Sequence, residues 1–188
     1  MKRDIQSVDD DIIRKKRLIE QMLYSDEDIV EILDNRLIDP ECPEDLIYDN
    51  IWPCIRIPGT QDVSKNFITF TVDDAEPSKF NASMKTQIVQ FVVFVHKNHI
   101  QTKYGMARHD LLGYLIRDIF HLSNCLGSQM ELISNKEYVT DADYSTRTLK
   151  FELTTPNSMQ PYQTNKYERD SIVNRKDKVL QRQEVGEV

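Results

Sequence analysis

Residues 86–96 read TQIVQFVVFVH, and residues 108–122, after a polar break, read RHDLLGYLIRDIFHL. The first stretch is the strongest strand in the chain. Val89, Phe91, Val93 and Val95 fall on one face, and Ile88, Val92 and Phe94 on the other. Apolar residues on both faces lead us to expect a central strand in a sheet covered on both sides. The second stretch has helical spacing. Leu111, Leu115, Ile119 and Leu122 make one stripe, and Leu112, Ile116 and Phe120 widen it to the breadth of a core-facing helix. Gly113 in its middle costs about 1 kcal/mol against alanine, so it marks a close approach. Gly127 stands just past the helix end, where a left-handed cap is expected.

Working outward, residues 67–72 alternate as a half-buried strand, with Phe67, Thr69 and Thr71 against Ile68, Phe70 and Val72. Residues 54–57 read as extended, Pro58-Gly59-Thr60 as a turn, and 73–83 as a connection. On the other side, residues 129–134 and 147–155 alternate and are most simply a hairpin, with the polar stretch 138–146 between them. The first fifty residues read as helical. Ser7 is the expected first cap, Asp9 to Asp11 suit the positive end of the helix dipole, and Ile12, Ile19 and Leu23 form the buried stripe. Arg14, Lys15, Lys16 and Arg17 interrupt that stripe and read as a solvated face with intrahelical pairs. Ser25 to Asp28 restart the helical pattern ahead of Ile29, Ile32 and Leu33, and a third short helix is expected near Pro43 with Leu46 and Ile47 inside.

The fold class is therefore α+β: N-terminal helices, then a mainly antiparallel sheet in the order β-β-β-α-β-β, with one long helix packed on it. Three parts are expected: an acidic helical segment over 1–50, an α+β core over 51–156 and a polar C-terminal extension over 157–188. In the extension, Ile172-Val173 and Val179-Leu180 recur seven apart, the spacing of a short docking helix, although its polar composition also suits a segment disordered in isolation.

Charge is unevenly placed. Residues 1–50 hold 7 basic and 15 acidic residues, a balance of −8, while 51–156 hold 11 of each. An acidic chain gains nothing by releasing phosphate counterions, which argues against tight nucleic-acid binding. The three cysteines, Cys42, Cys54 and Cys125, form no CxxC pair and read as free thiols of a reducing compartment, with Cys54 and Cys125 as small core residues. The N-terminus lacks the apolar core of a signal peptide, and no apolar run approaches the roughly 20 residues that span a bilayer.

Catalytic patterns are sparse. There is no GxSxG elbow, no Gly-rich phosphate loop and no cysteine beside a histidine in sequence. His96 and His99 would converge on a metal only if the strand ended between them, and Lys97, Lys103 and Arg108 would oppose a cation, so ordinary surface histidines at a strand end are the reading. We expect no enzyme activity, no metal and no cofactor. Two polar segments, 99–108 (HIQTKYGMAR) and 135–147 (NKEYVTDADYSTR), place tyrosine and arginine among charges, a composition typical of protein interfaces. Tyr104, Arg108, Tyr138, Tyr144 and Arg147 are the candidate subunit-interface residues.

Over about residues 50–156 the chain resembles the neck and tail-completion proteins of tailed bacteriophages, the tail-terminator and head–tail connector family. The resemblance rests on QIVQFVVFVHK at 87–97 followed by ARHDLLGYLIRDIF at 107–120, on the closing RTLKFELTTP at 147–156, and on IWPCIRIPGTQ at 51–61. It implies a virion protein that forms a ring with copies of itself, hexameric or else dodecameric, assembled in the host cytoplasm. The ring would touch portal, connector or tail-tube proteins, let DNA pass through its lumen without specific binding, and contact no membrane. The long acidic N-terminal segment and the polar extension depart from the simple family pattern and would serve as arms, with some acidic residues facing the lumen. The competing reading is a small cellular α+β adaptor that binds one protein partner.

Overall fold

The computed structural model describes residues 10–35, 38–39, 42–56, 64–77, 81, 83–141 and 143–156. Two helices, α1 (Asp11–Ser25) and α2 (Glu27–Leu33), lead through a 3-10 turn at Pro43–Leu46 to the strands β1 (Ile51–Trp52), β2 (Phe67–Pro77) and β3 (Met84–His96). The long helix α3 (Arg108–Phe120) follows, and then the strands β4 (Met130–Asp141) and β5 (Tyr144–Pro156). The α+β class and the order β-β-β-α-β-β stand. The sheet runs β1-β2-β3-β5-β4, parallel only between β1 and β2. β5 is thus inserted between β3 and its own hairpin partner β4, and β3 pairs along its whole length with β5, from Met84↔Pro156 to His96↔Tyr144.

The strands are longer than alternation alone indicated. β2 runs on through Asp73 and Asp74, whose charges disguise it, and β4 runs on to Asp141 through the polar stretch that read as a turn. Pairing with a long neighbour holds these polar residues extended, an effect that local propensity does not contain.

Helix starts follow capping chemistry. The Asp10 carboxylate accepts the Ile13 N–H at 3.1 Å, and Asp26 accepts that of Ile29 at 2.9 Å. The observed first cap is therefore Asp10; Ser7 lies outside the described residues. At the far end α3 stops at Phe120, two residues short of the expectation, with Leu122 in the left-handed region (φ 59°) and Gly127 farther along the loop at φ 86°. Leu122 is exposed as a result, and the buried side of α3 is Leu112, Gly113, Ile116 and Phe120, rotated from the stripe Leu111, Leu115, Ile119.

The main core joins the helices to one face of the sheet. Ile19, Leu23, Ile29 and Leu33 from the first two helices pack with Ile68, Phe70, Phe91, Val93, Phe120 and Phe151. The boundary at residue 50 therefore does not divide this core. Phe91 stacks on Phe120 at 4.9 Å between ring centres and meets Phe151 edge-on at 5.7 Å. The residues of this cluster lie on one face of the sheet, and all three helices contribute to it. The second face carries a smaller cluster of Phe67, Phe94 and Tyr144 with Trp52 and Val92, to which no helix residue contributes among the described residues. Among the described residues the helices cover one side of the sheet, so the expected cover on the second side is not found among them.

A second correction concerns the basic run at 14–17. Lys15 is 2 % exposed. It sits one turn before Ile19 and two before Leu23, so it shares their stripe and is carried into the interior. Its ammonium donates to Asp11 Oδ2 at 2.7 Å and to Gln87 Oε1. The Gln87 amide in turn donates to Asp11 at 3.0 Å and Asp74 at 2.6 Å, and Lys85 bonds to Asp74 at 2.9 Å. Burial pushes the Asp11 and Asp74 carboxyls up, but the hydrogen bonds from Lys15, Gln87 and Arg14 on the one and from Lys85 and Gln87 on the other outweigh it. Both carboxyls end below the usual carboxylate range. This network ties α1 to β2 and β3. The intrahelical pairs were anticipated; the burial was not.

Cys54 is exposed rather than in the core, while Cys125 is partly buried against it; all three cysteines are free thiols. No helix among the described residues is long and apolar enough to cross a membrane.

Candidate functional site

The five candidate residues gather around the start of α3 and the β4–β5 hairpin, but the structure divides their roles. The segment before α3 is a closed loop. The Arg108 N–H donates to the Ile100 carbonyl at 2.7 Å, Thr102 donates to the Met106 carbonyl from both its N–H at 3.2 Å and its hydroxyl at 2.7 Å, and Gly105 supplies the positive φ of 75° that the turn needs. This closure lifts Tyr104 onto the surface beside α2. Its hydroxyl donates to Glu31 at 3.1 Å, and Lys103 pairs with the same carboxylate. The hydrogen bonds from Lys103 and Tyr104 hold the Glu31 carboxyl below its ordinary range, and the same contact raises the Lys103 ammonium.

Arg108 is an internal tie. It is 8 % exposed. Its guanidinium donates to the His99 carbonyl at 2.7 Å and to the Ile32 carbonyl, and faces Asp34 at 3.4 Å. It satisfies the carbonyl-rich C-terminal end of α2, where the helix dipole favours a cation. Burial lowers its pKa, partly offset by Asp34.

Arg147 projects from β5 towards α3. It pairs with Asp110, donates to Asn135 Oδ1 at 2.8 Å and runs over Gly113. A Cβ on Gly113 would overlap Arg147 Cδ, so the glycine in the helix is explained by this crossing side chain. Beside it His109 is buried, with Nε2 3.2 Å from Glu137 Oε1 and 3.6 Å from Asp110 Oδ1. The donor atoms of His109, Asp110 and Glu137 lie within 4.8 Å of one another, a nitrogen-and-oxygen set of the kind divalent cations use. The Arg147 guanidinium on Asp110 already supplies positive charge there, and the trio is better described as part of a polar cluster that pins α3 to the β4–β5 hairpin.

Strand alternation sends Tyr138 the other way. Glu137 faces α3, so Tyr138 faces the second side of the sheet, where it is half exposed opposite Thr146. Tyr144 is on that same side but 6 % exposed, packed against Phe67 at 6.0 Å and His96 at 5.2 Å between ring centres. The strand does end at His96, and a 3-10 turn at Lys97–His99 brings the His96 and His99 rings to 6.1 Å. Among the described residues no carboxylate or cysteine joins them in a metal-binding trio.

Of the five, Tyr104 and Tyr138 are available to a partner, Arg147 is a partly exposed pin, and Arg108 and Tyr144 are interior. Sequence reading missed Tyr114, half exposed on α3 beneath Arg117 at 5.3 Å. It also missed Lys15 and Gln87. The i, i+4 spacing of Lys15 with Ile19, and the shared parity of Gln87 with Val89 and Phe91, were the signals available.

No curated protein matches this chain. The YomW family model matches it over residues 17–153, which points to a phage-derived protein and names no activity, ligand or position in a particle. The match runs from within α1, across the Arg108 and Arg147 ties, to near the end of β5, and the chain belongs to the YomW family.

Proposed function

We propose that this protein is a structural component of a tailed phage, one subunit of a ring at the neck or the head-proximal end of the tail that joins head to tail. The observation that carries the reading is family membership pointing to phage, held by a chain whose element order along the sequence, β-β-β-α-β-β after N-terminal helices, is the one that resembles tail-completion proteins. The physical design supports it. Arg108 and Arg147 lock α3 to α2 and to the β4–β5 hairpin, so the body is rigid, while Tyr104, Tyr114 and Tyr138 stand half exposed in different directions. A closed ring needs two unlike patches on each subunit, and outward aromatics on opposite sides of a rigid body fit that need.

Copies of the chain would form the ring, six or twelve in number, with portal, connector or tail-tube proteins above and below. DNA would pass through without specific contact. The acidic excess is compatible with a lumen that repels phosphate, although Asp11, Glu31, Asp34 and Asp49 are engaged inside the chain. Glu27, Asp28, Glu44 and Asp45 are exposed and would be the lumen-facing candidates.

The test is genetic. Deleting the coding sequence from the phage that carries it should leave filled heads and separate tails, restored to whole particles by adding purified protein. Normal yields of joined, infectious particles without the chain would refute the reading.

A further inference from the structure

Two surfaces away from the Arg108 and Arg147 ties are opposite in charge, and each has an apolar part. The first is the outward side of α1. Ile13, Arg14, Arg17, Leu18 and Gln21 are all exposed. At about 100° per residue they fall within about 140° of the helix circumference, so two aliphatic side chains and two guanidiniums share one face. Lys16 and Glu20 flank that face, are partly buried and offset each other in charge. Arg14 also meets Asp11 at 3.0 Å, an exposed pair of the kind that binds weakly.

The second surface is a cleft of about 580 Å³ between the end of α1, α2 and the 3-10 turn. Its volume is that of a ligand-sized site, so it has room for more than one side chain. Val30, Ile38 and Leu46 give it an apolar wall. Among the described residues every charged side chain that lines it is acidic: Glu27, Glu31, Asp34 and Asp39. Lys103 meets Glu31 and Arg108 faces Asp34, yet the acidic excess outlasts these contacts. Residues 25–49 hold ten acidic residues and one basic, Arg36, which lies outside the described residues. The cations that pair with them from elsewhere are Lys65, Lys103 and Arg108, too few to balance the charge. Water favours covering an apolar wall, and the carboxylates around this one select a cationic cover. The chain carries such a cover in the outward side of α1.

We propose that the cleft receives α1 of a second copy, with Leu18 against the apolar wall and Arg14 and Arg17 among the carboxylates around Glu27. The two patches are unlike and lie on one chain, so each copy gives one and takes the other, the heterologous contact from which rings are built. Tyr104, half exposed beside the cleft through its bond to Glu31, would border the contact. Glu27 would then face a neighbouring copy, which leaves Asp28, Glu44 and Asp45 for a lumen. Closure into a ring rests on the function proposed above; the pairwise contact does not.

Sedimentation equilibrium of the full chain tests the contact. The chain should self-associate at low salt, and more weakly as salt rises from about 0.02 to about 0.3 M. Glu27→Arg in the cleft and Arg17→Glu/Leu18→Glu on α1 should each weaken self-association at least about tenfold. All three side chains are exposed, so unfolding midpoints should stay near that of the native chain. Mixed in equal amounts, the two variants should recover a one-to-one pair and nothing larger, because the native α1 of the first fits the native cleft of the second. A chain that stays monomeric up to about 1 mM at low salt would overturn the proposal. So would self-association that survives either variant, or a mixture that fails to pair. Phage particles that assemble without the chain would refute the ring and leave the pairing result as it stands.

Discussion

The two faces of β3 are built from similar residues and held by different means. On the first, Phe91 lies between Phe120, Phe70 and Phe151, and three helices close over it. On the second, Val92 has, among the described residues, its strand neighbours and a small aromatic cluster at one end. The first face is also crossed by polar ties, the buried Lys15 with Gln87 at one end and the partly exposed Arg147 with Asp110 at the other. Alternation in a sequence identifies residues fit for burial; it does not say that a layer is there to bury them.

Truncation should separate the faces most sharply. Phe91→Ala is expected to cost about 3–5 kcal/mol by urea unfolding, the range for a buried aromatic that leaves a cavity. Val92→Ala should cost about 1 kcal/mol or less, since its side chain already touches solvent. Equal losses would erase the distinction.

The Lys15 latch comes next. Lys15→Ala leaves the Asp11 carboxylate and the Gln87 amide without their central donor and is expected to cost about 2 kcal/mol. Arg14→Ala, one position away on the exposed side of α1, should be close to neutral in the same assay.

Gly113 gives a smaller effect with a sign that can reverse. Gly113→Ala gains about 1 kcal/mol of helix propensity but displaces Arg147 from Asp110, so in the native background it should destabilise. In an Arg147→Ala background the same change should stabilise, and a double-mutant cycle measures the coupling. Strict additivity would mean that the glycine is not there for the arginine.

The least effect is the pH dependence of the latch. Asp11 and Asp74 have folded pKa values below their ordinary ones, so their contribution is present above the unfolded value and lost as pH falls through the folded value. Stability should therefore decline below about pH 4, and less steeply in Asp74→Asn, as followed by urea midpoints from pH 5 to 2.5.

The local elements were legible because their signals are local. The alternation of 86–96, the stripe of α3, the hairpin and the caps each rest on residues a few positions apart. What escaped depended on partners distant in sequence. β5 lies beside β3 because their lengths and apolar faces match, and β2 and β4 outgrow their apolar runs because a neighbour pairs with them. Arg108 looked like a surface arginine until the end of α2 arrived to accept from it. Tyr144 looked like an interface residue until Phe67 and Phe94 closed around it. Gly113 was the best clue to the site, since a glycine in mid-helix asked for a close neighbour and Arg147 is that neighbour.

In the function we propose, this rigid body is a repeated subunit where head meets tail. Averaged cryo-electron micrographs of the intact phage, with the chain tagged, test that directly. Ring density is expected at the junction, six- or twelvefold, into which the α3-backed sheet fits with tyrosines at the contacts between copies. Particles that purify whole and infectious with the tagged chain absent from them would contradict it.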